Sequence, residues 1–267
     1  MENILNKIII KKREKIIKLK KSYNENKILE DIKRETNFID FKSTMKKINS
    51  NNKISIIAEI KKASPSAGEI VKNFNPLDIG KIYFDNGASF ISVLTEEDFF
   101  LGKLDYIKKI KKNLKIPVLC KDFFIDTYQV PLAKSYGADC ILIILSAIDK
   151  ILAKDIYQTA NNLNLSTIVE VHSEKEAEMA LYYENALIGI NNRNLKTLKV
   201  SLETSIKLSK ILIPHKNPLI SESGFSNPKD LKFIIEKANI QNFLIGESLL
   251  KSENIGSKLS ELSRITL

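Results

Sequence analysis

The sequence predicts an α/β fold, a single (β/α)8 TIM barrel preceded by an N-terminal helical extension. From residue 53 onward, eight short apolar runs alternate with amphipathic stretches. Strands that alternate with helices in this way predict parallel βα units, and eight such units fit a closed barrel. The length of 267 residues agrees, because these barrels run to roughly 250 residues as one domain. We therefore assign residues 1–50 to the extension and residues 51–267 to the barrel, within one structural domain.

The first 50 residues predict amphipathic helices. Apolar residues recur at helical spacing from Ile4 to Leu19 and again over Ile28–Ile48, with lysines on the other face. This segment has 14 Lys and Arg against 7 Asp and Glu, so it holds +7 of the chain's net charge of +10. A basic amphipathic helix can bind nucleic acid or a membrane. We instead expect it to pack on its own barrel, with lysines that form mostly a solvated outer face.

The predicted strands are runs of apolar and β-branched residues, which favour extended backbone. In chain order they are Ile54–Ile60, Phe90–Leu94, Pro117–Cys120, Asp139–Leu145, Thr167–Val171, Leu187–Ile190, Pro218–Ile220 and Phe243–Ile245.

The intervening helices are marked by capping signals as well as by their periodicity. Asn75 and Asn227 each precede a proline, which suits an N-cap followed by the first helical position. Gly87 and Gly137 come just before predicted strands and are typical of helix C-caps. The predicted helices are Leu77–Asn86, Leu104–Asn113, Gln129–Tyr136, Lys150–Leu163, Lys175–Tyr183, Leu202–Leu212 and Pro228–Ala238.

Polar residues stand at the ends of the predicted strands, where barrels of this type place their chemistry. Glu59 and Lys61 are two residues apart, so both face the same side of the first strand. The other strand ends hold Lys121, the pair Glu170 and His172, and the pair Asn191 and Arg193. Such groups can shift one another's pKa values, and a desolvated lysine near another cation loses its proton more readily. The set therefore predicts acid/base chemistry.

Small residues follow the last two predicted strands, as Ser223-Gly224 and Gly246-Glu247-Ser248. In these barrels the loops after strands 7 and 8 often bind phosphate through backbone N–H groups. Glycine lets the backbone approach an anion closely. The same glycines also suit plain turns, so both alternatives remain open at this point.

We expect mostly structural roles for the histidines, for Cys120 and for some of the phenylalanines. No metal site is expected, because the only histidines, His172 and His215, have no matching cluster of ligands. His172 is expected to be a structural hydrogen-bonding residue. Cys120 should face the helices, because its neighbour Lys121 faces the barrel interior. The phenylalanines at the strand ends suit either the core or a wall for an aromatic substrate; they are Phe99, Phe100, Phe123 and Phe124.

Seven motifs in register resemble the indole-3-glycerol phosphate synthase family. They are IAEIKKASPSAG (57–68), SVLTEEDFF (92–100), PVLCKDFFIDTYQV (117–130), IVEVHS (168–173), IGINNRNL (188–195), SESG (221–224) and IGESLL (245–250). The resemblance implies a carboxy-lyase of tryptophan biosynthesis that needs no cofactor and no metal. Its substrate would be 1-(2-carboxyphenylamino)-1-deoxyribulose 5-phosphate, whose indole ring closes with loss of carbon dioxide and water.

The resemblance also implies roles for individual residues. Lys121 would be the general acid that protonates the ribulose carbonyl oxygen, and Glu170 the acid/base residue of the later dehydration. Lys61 would stabilise charge in a network with Glu59. The remaining implied residues bind or orient the substrate: Asn191 and Arg193, with Arg193 near the carboxylate; Ser64 and Ser66 in a mobile loop; Phe123; Glu222 near the sugar hydroxyls; and Ser223, Gly224, Gly246 and Glu247 in a phosphate cradle.

Two other functions fit the sequence less well. A phosphoribosylanthranilate isomerase would need a Cys/Asp pair near the strand ends, which the expected direction of Cys120 disfavours. A nucleic-acid-binding protein would interleave its basic residues with exposed aromatics, and residues 1–50 have only Tyr23, Phe38 and Phe41. We therefore expect a small phosphorylated substrate as partner, no nucleic acid and no membrane, a monomer, and a cytoplasmic location with Cys120 and Cys140 reduced.

Overall fold

The computed structural model describes residues 4–34, 37–195 and 197–265. Its barrel strands are all parallel and close in the order β1-β10-β9-β8-β7-β6-β5-β4, so the predicted (β/α)8 barrel is confirmed. In chain order the strands are β1 (Ser55–Ile60), β2 (Ala63–Ser64), β3 (Gly68–Glu69), β4 (Phe90–Leu94), β5 (Val118–Lys121), β6 (Cys140–Ile144), β7 (Ser166–Val171), β8 (Leu187–Asn191), β9 (Leu219–Glu222) and β10 (Asn242–Ile245).

Helices lie outside the barrel and at both of its ends. They are α1 (Ile4–Ser22), α2 (Glu25–Arg34), α3 (Phe41–Ser50), α4 (Pro76–Asp85), α5 (Asp105–Asn113), α6 (Gln129–Ser135), α7 (Lys150–Asn162), α8 (Glu174–Ala180), α9 (Glu203–Ile211), α10 (Pro228–Ala238), α11 (Glu247–Leu250) and α12 (Ile255–Ser263).

The capping signals in the sequence form as predicted. The Asn75 side chain accepts a hydrogen bond from the backbone N–H of Leu77 at the start of α4. Asn227 and Asp230 form a reciprocal capping box at the start of α10. Gly87 and Gly137 have φ of 97° and 94°, a left-handed conformation that glycine adopts without strain. These local signals fix where the helices begin and end.

Three barrel strands extend further than their apolar runs predicted. β5, β8 and β9 end at the polar residues Lys121, Asn191 and Glu222, and Asn191 pairs with Glu222 in the ladder between β8 and β9. The backbone continues its hydrogen bonding while the side chains change from apolar to charged. An apolar run alone cannot show this, so the runs that the sequence predicts stop one or two residues short of these strand ends.

The loop after β1 contains a short antiparallel hairpin, β2 and β3, that the sequence did not predict. Ala63 pairs with Glu69 and Ser64 pairs with Gly68. Gly68 has φ of 65° and turns the chain. The hairpin places Ser64 at the barrel mouth, where its side chain is buried.

The N-terminal helices α1 and α3 lie at opposite ends of the barrel. The predicted helical run Ile28–Ile48 is divided, because the Asp40 carboxylate caps α3 by accepting from Ser43 N–H; residues 35 and 36 of that run lie outside the described residues. Phe41 and Met45 of α3 are fully buried and close the end of the barrel at which the strands begin. By contrast, α1 lies across the mouth at which the strands end.

The core has two layers. Inside the barrel, alternate strand residues such as Ile57, Leu119 and Ile168 form one buried cluster that includes Phe41. Between the barrel and its helices, the residues on the other strand faces, including Cys120, pack on the helices. Each barrel strand is therefore buried on both faces, which explains its near-continuous apolar run.

Candidate active site

A cavity of about 190 Å³ opens at the mouth of the barrel, at the carboxyl ends of the strands. Its walls combine charged strand-end residues with apolar side chains from α1 and the loops. All fourteen residues that the sequence singled out for the site line this cavity: Glu59, Lys61, Ser64, Ser66, Lys121, Phe123, Glu170, Asn191, Arg193, Glu222, Ser223, Gly224, Gly246 and Glu247. The structure therefore brings the whole predicted set together, while the role of each residue stays a prediction.

Lys121 lies at the centre of the cavity between two carboxylates. Its Nζ atom is 3.2 Å from Glu170 Oε2 and 3.2 Å from Glu222 Oε2. Burial disfavours the ammonium, but Glu170, Glu222 and Glu59 outweigh burial and raise the pKa of Lys121 above its ordinary value. A buried lysine beside a second cation would lose its proton more readily, but the groups nearest to Lys121 are carboxylates.

The two carboxylates that share Lys121 have opposite pKa shifts. Burial and the charge of Glu170 raise the pKa of Glu222 to about 8, against the attraction of Lys121. Burial also disfavours ionised Glu170, but Lys121, His172 and a hydrogen bond from Asn191 hold its pKa well below the ordinary value. At neutral pH the cluster therefore holds an ionised Glu170 beside a protonated Glu222, which is an arrangement suited to acid/base chemistry.

Glu59 and Lys61 form the second ion pair of the cavity. Lys61 Nζ is 2.6 Å from Glu59 Oε1, which confirms that both side chains face the same side of β1. Space for the carboxylates comes from two glycines. A Cβ on Gly246 would collide with Glu59, and a Cβ on Gly189 would collide with Glu222. Sequence analysis missed the role of Gly189, because it lies inside an apolar run and shows no turn signal.

Asn191 and Arg193 orient neighbouring groups through separate contacts. The Asn191 amide donates to Glu170 Oε1 at 3.3 Å, and its oxygen accepts from the backbone N–H of Arg193 at 3.0 Å. The Arg193 guanidinium donates to Glu247 Oε2 at 3.2 Å and to the carbonyl oxygen of Leu198 at 3.2 Å. Arg193 and Glu247 were predicted in different parts of the site, but in the structure they form one ion pair.

The two loops expected to bind phosphate lie side by side at the cavity. Ser223 and Gly224 adopt left-handed φ values of 69° and 94°, which turn the chain sharply after β9. Gly246 is the N-cap of α11, the four-residue helix that follows β10. The Asn192 side chain donates to the carbonyl oxygen of Ser223 at 3.0 Å and supports the first loop from beneath. Backbone from both loops thus borders the same end of the cavity.

Apolar side chains form the opposite wall. Phe100 and Phe123 line the cavity with ring centroids 6.3 Å apart, so these two phenylalanines are wall residues rather than core residues. The buried Glu96 carboxylate accepts from the backbone N–H groups of Phe99 and Phe100 and holds the loop after β4 in place. Ile4, Leu5 and Ile8 of α1 complete the wall. The apolar stripe in the sequence predicted that α1 packs on the barrel, but not which residues face the cavity.

One lysine of α1 is buried, in contrast to the expected solvated face. Lys12 is only 6% exposed, and its Nζ atom is 2.6 Å from Asp122 Oδ1. Lys15 pairs with Glu97 and Asp98, and Lys20 pairs with Asp126. We call these pairs the docking cluster. It consists of Lys12, Lys15 and Lys20 of α1 and of Glu97, Asp98, Asp122 and Asp126 in the loops after β4 and β5.

Cys120 faces away from the mouth of the barrel. Cys120 packs in the outer layer as expected, and burial raises the pKa of its thiol to about 12. An isomerase with a strand-end thiol therefore lacks its catalytic group here. Within residues 4–34, 37–195 and 197–265, no three His, Cys, Asp or Glu side chains are grouped so that they could hold a metal ion. No helix of that part of the chain is long and apolar enough to cross a bilayer.

Comparison with known proteins gives one consistent result. A protein-family model described as indole-3-glycerol phosphate synthase matches residues 5–262. A protein of that name from Polaromonas sp. is 41% identical over 262 residues, which cover 98% of both chains. Another from Legionella pneumophila is 42% identical over 264 residues, which cover 98% of this chain and 99% of the relative.

Solved structures support the barrel fold alone. The tryptophan synthase alpha chain from Legionella pneumophila superposes with a TM-score of 0.62 at 14% identity, covering 83% of this chain and 95% of that one. A thiamine phosphate pyrophosphorylase from Pyrococcus furiosus gives a TM-score of 0.57 at 15% identity, covering 80% and 96%. With the family model and the relatives above 40% identity matching nearly the whole chain, this chain belongs to the indole-3-glycerol phosphate synthase family.

Proposed function

We propose that this chain closes the indole ring of 1-(2-carboxyphenylamino)-1-deoxyribulose 5-phosphate with Lys121 as the general acid and Glu170 as the acid/base partner. Indole-3-glycerol phosphate synthase activity in tryptophan biosynthesis follows from the family. The observation that carries the residue roles is the position of Lys121, in contact with Glu170 and Glu222 at the centre of the cavity. A phosphorylated aromatic substrate fits the charged and aromatic walls.

Lys121 acts in the first step. The ring carbon that bears the carboxylate attacks the ribulose carbonyl carbon, and the carbonyl oxygen gains negative charge. Because its carboxylate neighbours raise the pKa of Lys121, the acid form is fully present at neutral pH. The developing alkoxide is more basic than a lysine, so the proton moves from Nζ to the oxygen in the transition state.

Decarboxylation and dehydration follow. The bond to the carboxylate breaks and returns its electrons to the ring, which restores aromaticity. The new hydroxyl then leaves as water after it is protonated, and Glu170, which is ionised in the free enzyme, accepts the proton lost from carbon. Glu170 lies 3.2 Å from Lys121, so this proton can return to the acid. One proton is taken up from solvent overall, because a carboxylate leaves as neutral carbon dioxide.

The remaining residues bind and orient the substrate. We assign the phosphate to the backbone of Ser223, Gly224 and Gly246, where close approach of the chain and a helix N-terminus favour an anion. Arg193 and Lys61 are the cations placed to attract the substrate carboxylate. The remaining substrate-binding residues form the walls and loops around the ring and sugar: Ser64, Ser66, Phe123, Asn191, Glu222 and Glu247.

We extend the proposal to the oligomeric state, the partners and the cellular location of the protein. We expect a monomer with a small phosphorylated substrate as its partner, because the proposed acid, base and phosphate loops are all supplied to the cavity by this chain and need no second copy. The basic residues of α1 pair in part with the barrel, which supports a role without nucleic acid or membrane. Buried free thiols at Cys120 and Cys140 suit a reducing compartment and support a cytoplasmic location.

The direct test follows the fluorescence of the indole product formed from the carboxyphenylamino-ribulose phosphate. We expect wild type to be active and Lys121→Ala and Glu170→Gln each to lose about 10²-fold or more in kcat, the scale of an acid/base group. Lys207→Ala is the matched control, because Lys207 pairs with Glu174 on the surface, with its side chain 69% exposed. Full activity of Lys121→Ala would overturn the assigned mechanism.

A further inference from the structure

His172 lies immediately after β7, between two carboxylates, and the mechanism above does not use it. Its Nε2 atom is 3.2 Å from Glu170 Oε1, and its Nδ1 atom is 3.4 Å from Glu176 Oε2. Both ring nitrogens are buried, and neither contact has the angles of a hydrogen bond. The attraction between the ring and the two carboxylates is therefore mainly electrostatic, and it requires the imidazolium form.

The fold fixes the ring from the side of α8. Ser173 caps this helix, and the Glu176 carboxylate accepts from the backbone N–H of His172 at 2.8 Å. The Glu176 carboxylate is thus bonded to the backbone of residue 172, beside the ring. Since Glu170 and His172 are two residues apart, both side chains lie on the same side of the chain.

Glu170 contacts a different group at each of its oxygens. Oε2 faces Lys121, whereas Oε1 faces His172 and accepts from the Asn191 amide. When Lys121 gives its proton to the substrate, it becomes neutral and no longer balances Glu170. A buried carboxylate without a cation would then take up a proton, and it could not act as the base of the dehydration.

We propose that His172, as an imidazolium held between Glu170 and Glu176, is a positioning residue that stays ion-paired with Glu170 after Lys121 has donated its proton. This proposal rests on the roles given above to Lys121 and Glu170. The charged groups that act on the ring are Glu170 from β7 and Glu176 from α8, with Lys121 of β5 on the far oxygen of Glu170. Burial disfavours the imidazolium, but the two carboxylates outweigh burial and raise the pKa of His172 to about 9.

The first test reads the charge of the ring and does not depend on activity. The chain has two histidines, so ¹H–¹³C NMR of the imidazoles resolves one signal for each, and His215→Asn assigns them. We expect the His172 signal to titrate well above pH 7, whereas burial lowers the pKa of His215 and serves as the internal contrast. A neutral His172 at pH 7 would overturn the proposal, whatever the activity assay shows.

The second test uses the pH profile of kcat for indole formation. His172→Gln removes the cation but keeps a polar side chain, and we expect kcat to fall by roughly tenfold with a smaller change in KM. Glu176→Gln should keep kcat near its wild-type value at pH 7 and move the alkaline limb to lower pH, because it removes one of the two carboxylates that raise the pKa of His172. The double variant should show no further shift of that limb. Two outcomes would contradict the proposal. One is a pH profile of kcat that is unchanged in Glu176→Gln. The other is a shift of the alkaline limb by Glu176→Gln that is equally large in wild type and in the His172→Gln background.

The two proposals fail in different ways. If Lys121→Ala and Glu170→Gln keep full activity, the assigned mechanism is wrong, although the NMR titration still reports the charge of His172. If those variants lose activity and His172→Gln does not, the mechanism stands and the positioning role of His172 is wrong.

Discussion

Two groups of ion pairs lie within a few residues of each other in this barrel, and they are organised differently. In the docking cluster, lysines of α1 pair with carboxylates of the loops after β4 and β5, and the lysine that contacts two carboxylates, Lys15, does so at the surface. In the cavity, Glu59 pairs with Lys61, and the buried Glu170 and Glu222 side chains meet at the single ammonium of Lys121. A one-to-one pair balances charge and stabilises a position, whereas two buried carboxylates at one cation have pKa values shifted in opposite directions, which suits acid/base chemistry.

The same strand end supplies both groups. Lys121 is the last residue of β5 and faces the cavity, while Asp122 follows it and faces α1. Asp122 also accepts from the Thr95 hydroxyl at 2.7 Å. Docking of α1 therefore holds the segment that contains the central lysine, and the two regions cannot be perturbed in complete independence.

Among the variants that distinguish the two regions, Lys12→Met is expected to lower the free energy of unfolding the most. This change leaves Asp122 buried without its cation, and breaking such a pair typically costs about 3–5 kcal/mol. Since Ile4, Leu5 and Ile8 of α1 line the cavity, weaker docking should raise KM more than it lowers kcat. Chemical denaturation and steady-state kinetics of the variant measure the two effects.

The control for Lys12→Met is the double variant Lys12→Met/Asp122→Asn. It removes both charges of the buried pair but keeps a side-chain oxygen that can accept from Thr95. We expect it to recover most of the lost stability, because replacing a whole buried pair is often nearly neutral. If the single variant is as stable as wild type, the buried pair does not hold α1 on the barrel.

A second prediction, of intermediate size, concerns how Glu222 in the cavity makes the stability of the folded protein depend on pH. Its pKa is raised from the ordinary value of 4.5 to about 8, so between these values the folded protein binds a proton that the unfolded chain has released. Stability from this group is present below about pH 4.5 and is lost as the pH rises toward 8. Glutamine does not ionise, so Glu222→Gln does not lose this stability. The difference between its denaturation midpoint and that of wild type should therefore increase in favour of the variant as the pH goes from 5 to 8.

Thermal denaturation at several pH values measures this difference directly. Glu174→Gln is the matched control, because Glu174 pairs with Lys207 on the surface, with its side chain 53% exposed. Its difference from wild type should stay constant over the same range. A constant difference for Glu222→Gln as well would mean that Glu222 is ionised at neutral pH and that the carboxylates are not displaced by sharing Lys121.

The sequence predicted most of this organisation, and the failures have identifiable physical causes. The barrel followed from alternating runs, and the fourteen site residues followed from strand ends and from family motifs. The pairing of charges did not follow, because the partner of Lys12 is 110 positions away and no periodic pattern connects it with Asp122. The raised pKa of Lys121 did not follow for the same reason, since it depends on which residues of other strands lie opposite. Gly189 was missed because its small size matters only beside Glu222.

The smallest effect is expected at the edge of the docking cluster. Lys20 pairs with Asp126 at 2.7 Å, but its side chain is 46% exposed, so solvent and salt screen the attraction. We expect Lys20→Ala to change the free energy of unfolding by less than about 1 kcal/mol, to leave KM unchanged, and to have even less effect at high salt. Denaturation at low and high ionic strength checks this. A loss as large as that of Lys12→Met would show that the exposed rim pairs, rather than the buried one, hold α1 across the mouth.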